Sequence, residues 1–477
     1  MKTKKLLAAA AALCLCGGIL PAASASAEIY GDHNGDGNVD AMDAALILQY
    51  AAYAGAGGTQ TFYEFVHGSE GGDISSDDGT LTILNCNDDT LSGMIAQYQA
   101  AYPNANVEWV QVGEFGGEAA ELYATYLLSG KEADLYVVQP DWALRYLNDD
   151  SLSIPLSAIG ITESDYVNAY DYSIALGKNS NGELRGATAL LSPGGYCYRT
   201  DLAEEYLGID SAEYMQECIS DWDGFLDTAS RLSTASGGSI TMAASYGDLL
   251  NPFFSTPDRP WVENNVLDIT PAARFIDLYM GMTQTGSLDP SVLQWTAEWT
   301  EAGIYDGTLG YFYASWCLPD NLMLEQNGGD AGNWAIVPGP EAFYWGGEMF
   351  CVAPQCNSAE EAARFLRYFT VEADSMEAYM NNYGESLGYL VNNRAAMSAF
   401  NETHHGSPLL GGQDYFAVLS EAAESIDLKA ENLTEYDSAA ISNLYSAIHK
   451  NVDADPDTIL ADFIVKMQEN NPDLTVN

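Results

Sequence analysis

The sequence predicts an α/β protein whose main domain has two lobes. Short apolar segments alternate with helical stripes from Leu81 onward, which is typical of a sheet covered by helices. A further set of strand and helix patterns begins near Gly195. About 395 residues follow Leu81, and one hydrophobic core of ~150 residues is too small to hold them. We therefore expect two lobes.

The first part of this domain alternates three strands with two helices. The strands are "LTILNC" at 81–86, then "NVEWVQV", then "ADLYVVQP". Helical stripes between them comprise Leu91, Met94, Ile95, Tyr98 and Tyr102, and then Ala119, Leu122, Tyr123, Tyr126 and Leu127. This order predicts a parallel sheet, and ligands of such sheets bind beyond the carboxyl ends of the strands. Asn87 and Asp88 follow the first strand there, and Asp141 and Trp142 follow the third.

The second part contains "GYCYRT", which begins at Gly195 and is predicted to be a strand. A helix is expected from Asp221. A later helix in "NSAEEAARFLRYFT" starts with the capping-box pair Ser358 and Glu361. The apolar face of this later helix consists of Ala362, Phe365, Leu366 and Phe369.

The N-terminus, residues 1–27, is predicted to be a secretory signal peptide. Lys2, Lys4 and Lys5 precede an apolar run, and the small residues Ala25-Ser26-Ala27 favour cleavage before Glu28. We therefore expect a secreted protein that is extracellular or associated with the cell surface. Lipidation at Cys16 ranks second, because Leu15 stands where a small residue is usual.

The segment "DHNGDGNVDAMD" has the spacing of a twelve-residue calcium loop. Oxygen ligands recur at alternate positions, and Gly37 stands where the chain turns sharply. The predicted ligands of one Ca²⁺ ion are Asp32, Asn34, Asp36, Asn38 through its backbone, Asp40 and Asp43. A short helix follows this loop. The calcium module spans residues 28–55, and a small, polar linker spans 56–80.

Charge and cysteine content exclude several functional classes. The formal net charge is −51, which repels nucleic acid and anionic membranes, so we expect no nucleic-acid partner. Six cysteines lie outside the predicted signal peptide, and they have no zinc-binding spacing. Six cysteines allow fifteen disulfide pairings, among which the sequence does not choose.

Two resemblances refine these expectations. "GDHNGDGNVDAMDAALILQY" resembles one half of a type I dockerin, although a second repeat is missing from the sequence. This resemblance implies a cohesin-bearing scaffold as a partner. Residues 80–475 resemble the extracellular sugar-binding proteins of ABC importers. The segments that carry this resemblance, in order, are "LTILNCNDDTLSGMIAQYQAAYPNANVEW", "ADLYVVQPDWALRYL", "GYCYRTDLAEEYLGI", "ISDWDGFLDTASRLS", "GTLGYFYASW", "NWAIVPGP" and "YWGGEMFCVAP".

The second resemblance implies a periplasmic-binding-protein-like clamp over 81–475, with hinge strands between its lobes. Lobe 1 is expected at about 81–190 plus 300–345, and lobe 2 at about 195–300 plus 350–475. The implied function is capture of a carbohydrate, an oligosaccharide, in a cleft between the lobes, for delivery to an ABC transporter permease. Aromatic rings cover the apolar face of a sugar, and carboxylates and amides bind its hydroxyls. The candidate ligand-binding residues are Asn87, Asp88, Asp141, Trp142, Tyr196, Trp261, Trp295, Trp299, Trp316, Trp345 and Glu348.

Two alternatives remain. One is a dockerin-like component that captures glycans for a surface complex and has no role in transport. The weakest is an enzyme: "GESLG" at 384–388 matches the G-x-S-x-G motif of serine hydrolases, with Asp414 and His449 later in the chain. A glycoside hydrolase would need two carboxylates placed about the scissile bond, and no such motif is evident. We therefore expect no catalytic residues.

Overall fold

The computed structural model describes residues 79–86, 90–113, 117–318 and 332–476. The chain divides into two compact units, Met1–Ser69 and Glu70–Asn477, and every described residue belongs to the second unit. The predicted signal peptide, the calcium loop from Asp32 to Asp43, and Asn87 and Asp88 lie outside the described residues.

Three parallel strands form the first part of the sheet, as the sequence predicts. Strand β1 (Thr80–Asn85) lies between β2 (Asn106–Gln111) and β3 (Leu135–Val138) and pairs parallel with both. Helix α1 (Leu91–Ala101) connects β1 to β2, and α2 (Gly117–Leu128) connects β2 to β3. The predicted apolar stripes are the buried faces of these helices, since Leu91, Met94 and Tyr98 are buried on α1. The β-α-β-α-β prediction is confirmed.

One long strand is shared by two groups of strands. Strand β4 (Gly186–Arg199) pairs antiparallel through its first part with β9 (Tyr344–Val352), which in turn pairs with β3. The last part of β4, from Gly194, pairs with β7 (Gly310–Ala314) and β8 (Trp334–Val337). The short strand β10 (Leu390–Val391) completes the sheet, in the order β10-β4-β9-β3-β1-β2.

Buried apolar side chains form two separate cores, and we call the parts of the chain around them the first and second lobes. The helices of the first lobe are α1, α2, α3 (Pro140–Leu147), α4 (Asp171–Leu176), α11 (Ala359–Thr370), α12 (Ala373–Tyr379), α13 (Glu385–Leu387), α14 (Arg394–Thr403) and α15 (Tyr415–Glu424). Those of the second lobe are α5 (Thr200–Leu207), α6 (Ala212–Cys218), α7 (Trp222–Ser236), α8 (Gly247–Phe254), α9 (Thr270–Gln284), α16 (Asp437–Lys450) and α17 (Pro456–Asn470). Helix α10 (Ala297–Ile304) packs on β7 through Trp299.

A small sheet belongs to the second lobe. It consists of β5 (Val262–Glu263), β6 (Val266–Leu267) and β11 (Thr475–Val476), in the order β11-β6-β5. Among the described residues, no helix combines the length and the apolar character that a membrane span requires. The six cysteines outside the predicted signal peptide are all free thiols.

The structure corrects the predicted membership of the later segments in the two lobes. Residues 300–345 were expected in lobe 1, but β7 and β8 contribute to both cores, with Tyr311 and Trp334 in the first and Phe312 and Ala335 in the second. Residues 350–475 were expected in lobe 2, but α11 packs on α1 in the first core, with the Tyr98 and Phe365 ring centroids 5.0 Å apart. Only the end of this range, from about Tyr436, packs on the second core. The chain thus crosses between the lobes more often than the sequence patterns reveal.

The predicted capping box of α11 is also wrong. The Ser358 hydroxyl donates to the Thr80 carbonyl (2.6 Å) instead of bonding within its own helix. The Tyr98 hydroxyl donates to the Glu361 carboxylate (2.6 Å). Tertiary contacts therefore take both side chains away from the local cap, and they join the helix to β1 and α1.

Candidate functional site

A cleft of about 780 Å³ separates the two lobes. Its wall on the first lobe comes from α3 and the middle of α2, and its wall on the second lobe comes from α8 and the start of α16. Tyr344 and Trp345, at the start of β9, lie between the walls. Residues that line the cleft include Glu121, Asp141, Trp142, Arg145, Asn251, Phe254, Gln294, Tyr344, Trp345, Glu435, Asp437 and Tyr445.

The first-lobe wall is positioned by the turn from β3 into α3. Pro140 takes the first helical position, where its missing N–H is no loss, and Asp141 follows in the first turn. The Trp142 ring packs edge-on against Tyr123 (5.6 Å) and Tyr146 (5.2 Å), so its orientation is fixed from behind. The Asp141 carboxylate is reached by solvent from the cleft but is surrounded by protein on its other sides, and this desolvation raises its pKa.

The second-lobe wall presents a carboxylate at the start of α16. Asp437 accepts hydrogen bonds from the backbone N–H of Thr434 (3.1 Å) and from its hydroxyl. Desolvation nevertheless raises the pKa of Asp437 to about 6. The neighbouring Glu435 accepts a hydrogen bond from the Asn148 amide (2.7 Å), which follows α3 in the first lobe. This bond joins the two walls directly at one end of the cleft.

Tyr344 lines the cleft together with the two carboxylates. Its ring stacks on Tyr172 (centroids 5.5 Å apart, planes at 20°). Burial raises the pKa of its hydroxyl, and the negative charges of Asp141 and Asp437 raise it further. Both carboxylates therefore act on the same hydroxyl from opposite lobes.

Four indole rings form a tryptophan cluster beside the cleft, consisting of Trp295, Trp299, Trp316 and Trp345. The Trp295 centroid lies 4.9 Å from that of Trp299 and 5.7 Å from that of Trp345, and Trp316 lies 5.5 Å from Trp345. The Trp316 indole N–H donates to the Trp345 carbonyl (3.0 Å). Trp295 is 49% exposed and has φ +68°, so a large aromatic side chain is held towards solvent in a strained conformation.

Asp248 supports this cluster from inside the protein. Its carboxylate accepts the Trp299 indole N–H (2.9 and 3.0 Å to the two oxygens) and the backbone N–H of Ser245 (3.1 Å). Asp248 is 2% exposed, and burial raises its pKa to about 7. Because Asp248 lies in the first turn of α8, it connects the helix that lines the cleft to the tryptophan cluster.

The structure brings some of the predicted ligand-binding residues together. Asp141, Trp142 and Trp345 line the cleft, and Trp295 and Trp316 adjoin it through Trp345. Glu348 lies just beyond on β9 but is 7% exposed, and the Thr90 hydroxyl is within hydrogen-bond distance of both its carboxylate oxygens.

Three predicted ligand contacts are corrected by burial. Tyr196 is fully buried in the second core, where its hydroxyl donates to the Met242 carbonyl (2.6 Å). Trp261 is 1% exposed and packs between Phe254 and Phe463. Trp299 is 2% exposed and is held by Asp248. A side chain covered by protein offers no surface to a ligand, so these three residues have structural roles.

Sequence patterns missed Tyr344, Asp437, Tyr445, Gln294 and Asn251, which line the cleft. Tyr344 directly precedes Trp345 and could have been found with it. Asp437 and Tyr445 are half-buried residues of an ordinary amphipathic helix, and nothing local distinguishes them from other residues beside its buried stripe. Asp248 carried no signal, since "GDLLNPFF" is an unremarkable helix start.

The residues of the hydrolase alternative are not assembled as that chemistry requires. Ser386 lies in the short helix α13 directly after a π-helical turn, whereas a nucleophile elbow requires a preceding strand. The Ser386 hydroxyl donates to the Tyr383 carbonyl (2.9 Å). Asp414 caps α15 through backbone N–H groups, and His449 lies on α16 in the second lobe.

Comparisons with known proteins agree with this architecture. The family model described as bacterial extracellular solute-binding protein matches residues 93–397. A search of curated proteins gives no match. A solved structure described as extracellular solute-binding protein family 1 is 17% identical, with a TM-score of 0.70, and the alignment covers 82% of this chain and 99% of that one.

Two further solved structures are of proteins named for a sugar that they bind. The galacto-N-biose/lacto-N-biose I-binding protein of the ABC transporter from Bifidobacterium longum is 17% identical, with a TM-score of 0.61 and coverage of 84% and 100% of the two chains. The cyclic alpha-maltosyl-1,6-maltose binding protein from Arthrobacter globiformis is 14% identical, with a TM-score of 0.59 and coverage of 82% and 98%. These likenesses confirm the periplasmic-binding-protein-like α/β fold. With a family match over most of the described residues and a ligand-sized cleft between two lobes, the chain belongs to the bacterial extracellular solute-binding proteins.

Proposed function

We propose that the protein captures a carbohydrate, an oligosaccharide, in the cleft between its lobes and delivers it to the permease of an ABC transporter. The observation that carries this proposal is the pairing of aromatic surfaces with carboxylates on facing walls. Trp142, Tyr344 and Trp345 offer rings to the C–H face of a sugar, and Asp141 and Asp437 offer acceptors to its hydroxyls. Similar solved structures include a protein in complex with lacto-N-biose and one named as a cyclic alpha-maltosyl-1,6-maltose binding protein.

Capture is a closure of the lobes around the ligand. The first part of β4 pairs with β9 of the first lobe and its last part with β7 and β8, which also contribute to the second core, so bending near Pro193 would change the angle between the walls. A ligand that contacts both walls stabilises the closed arrangement by its difference in affinity for the two states. In this scheme the closed form is the one that the permease recognises, and the protein binds its ligand without converting it.

Calorimetry of the mature chain against a panel of neutral oligosaccharides tests this function. We expect saturable binding of at least one glycan and no turnover. Trp142→Ala and Trp345→Ala should each weaken binding about tenfold, because each removes an aromatic face from the cleft. Tyr214→Ala removes an exposed aromatic ring outside the cleft and serves as the control. Unchanged affinity in both tryptophan variants would place the ligand elsewhere, and release of a cleaved sugar would favour an enzyme.

The alternative function rests on the loop from Asp32 to Asp43, whose spacing favours one bound Ca²⁺ ion. We propose that this module moors the secreted protein near the cell surface, with a cohesin-bearing scaffold as its partner. In the alternative, the protein captures glycans for such a complex without transport. Pull-down on immobilised cohesins with calcium or with chelator tests the mooring, and no calcium-dependent retention would remove it.

A further inference from the structure

The charges that line the cleft are almost all negative. Glu121, Asp141, Glu435 and Asp437 line it, and Arg145 is the one cation among the described lining residues. The Arg145 guanidinium is already engaged, because its two terminal nitrogens lie 2.5 and 3.2 Å from the two carboxylate oxygens of Glu121. An anionic ligand would therefore meet no free positive charge on these walls.

Two of these carboxylates are uncompensated by any described cation. Asp141 has no hydrogen-bond or ion-pair partner among the described residues, and Asp437 is bonded only to the Thr434 backbone N–H and hydroxyl. Both carboxylates line the cleft from opposite walls, and Tyr344 lines the same space. Water screens charges less inside a cleft than on an open surface, so a cation placed between these groups would gain more there than at a fully solvated acid.

A further carboxyl group lies behind the wall. Asp248 is buried in the first turn of α8, and its described partners are neutral: the Trp299 indole, the Ser245 backbone N–H and the Gln294 side chain. The net charge of −51 for the whole chain adds a long-range field of the same sign. The rings of Trp142, Tyr344, Trp345 and Tyr445 line the same space, and aromatic faces attract cations as well as C–H groups.

On the basis of the proposed function, we propose that the preferred ligand is a glycan carrying a protonated amine, such as an oligomer of amino sugars with free amino groups, and that uronic acids are excluded. The ammonium group lies between Asp141 of the first lobe and Asp437 of the second, next to the Tyr344 hydroxyl. The remaining hydroxyls and ring faces contact the aromatic walls. This arrangement requires both lobes, so the charged group itself favours closure.

Matched pairs of glycans test the inference in the wild-type protein. Calorimetry at pH 7 compares β-1,4-linked glucosamine oligomers with cello-oligosaccharides of equal length, and galactosamine oligomers with their galactose counterparts. In each pair an amine replaces one hydroxyl per ring. We expect the amine form to bind about tenfold more tightly in at least one pair, and oligogalacturonate not to bind. Equal or tighter binding of the neutral partners, or binding of oligogalacturonate, overturns the inference and leaves carbohydrate capture intact. If no glycan of any charge binds, the proposed function itself fails.

Variants of Asp141 and Asp437 test whether these two carboxylates cause the preference for amine-bearing glycans. Asp141→Asn and Asp437→Asn should each reduce the amine preference severalfold and change the affinity for neutral glycans less, since an amide still accepts hydroxyl hydrogen bonds. Asp277→Asn removes an exposed carboxylate from α9 outside the cleft and should leave the preference unchanged. If all three variants keep the full preference, the ammonium does not lie between the two cleft carboxylates.

Discussion

Gly347→Ala is expected to destabilise the protein and to weaken ligand binding, because Gly347 occupies a conformation that other residues rarely adopt. It lies on β9 opposite Leu191 of β4, where the pairing of the two strands shifts register, and its φ is +116°. A Cβ added there would lie 2.9 Å from the Leu190 carbonyl oxygen, which belongs to the backbone and has little room to move.

Two separate contributions determine how much Gly347→Ala lowers the free energy of unfolding. Holding an L-residue at this φ costs about 1–3 kcal/mol. The close approach to Leu190 forces a backbone shift in a packed strand pair, at about 1–3 kcal/mol more. Gly208→Ala measures the cost of a positive φ without a steric clash, because Gly208 follows α5 with φ +68° and has no atom within 4 Å of a built Cβ. We expect Gly347→Ala to lower the free energy of unfolding by about 1–3 kcal/mol more than Gly208→Ala does.

Urea denaturation of both variants measures the difference, with the first transition compared if the lobes unfold separately. Calorimetry with the ligand is the second readout. Trp345 precedes Gly347 by two residues and lines the cleft, so a shift of β9 moves an aromatic wall, whereas Gly208 adjoins no cleft residue. Equal destabilisation by the two variants, or unaltered ligand affinity in Gly347→Ala, would refute the reasoning.

Three further predictions follow from the buried carboxylate, the tryptophan cluster and the calcium loop. Burial raises the pKa of Asp248 to about 7, against an ordinary value of 3.8. The folded state therefore binds this proton more tightly than the unfolded state between about pH 4 and 7, and the free energy of unfolding falls as the pH rises through that window. Urea denaturation at several pH values should show a shallower fall for Asp248→Asn than for the wild type, and a slope equal to that of Asp277→Asn would contradict this prediction. Trp295→Ala should weaken binding of longer glycans more than that of monosaccharides in calorimetry, since the exposed ring adjoins the cleft without lining it, and a uniform loss would place Trp295 in the central contact. Chelation of calcium should release one bound ion, detected by mass spectrometry under native conditions. It should leave the melting temperature of the large unit unchanged, since separate units unfold separately. Asp36→Asn should lose the ion without chelator, and an ion content equal to that of the wild type would exclude the loop as the calcium site.

Local patterns sufficed for much of the fold because several elements are determined by their own sequence. The stripe Ala362, Phe365, Leu366 and Phe369 is buried on one face of α11, as its spacing predicts. Asp221 caps α7 by accepting the Gly224 backbone N–H (2.7 Å). Helical periodicity and capping depend on neighbours within four residues, so they can be predicted from a single sequence.

Pairing between distant strands cannot be predicted from such local patterns. The placement of β9 beside β3 assigns that strand to the first lobe, whereas β7 and β8, beside the end of β4, contribute to both cores. The burial of Trp261 and Trp299 has the same origin: both stand in polar sequence, and both are covered by segments far along the chain. The indole of Trp299 is satisfied by Asp248, 51 residues away.

The cleft shows why the two walls differ in how readily they could be predicted. Asp141 and Trp142 follow a strand of a parallel sheet, and the rule that ligands bind at the carboxyl ends of strands identifies them without further information. Asp437 enters the site only because α16 packs on the second core and faces α3 across the cleft. Each lobe thus supplies one of the two uncompensated carboxylates, and neither lobe alone can hold a cation between them. The contact of a cation with both carboxylates exists only when both walls are near the ligand. Its free energy therefore contributes to closure as well as to affinity, and the pair of residues that selects the ligand also stabilises the closed arrangement of the lobes.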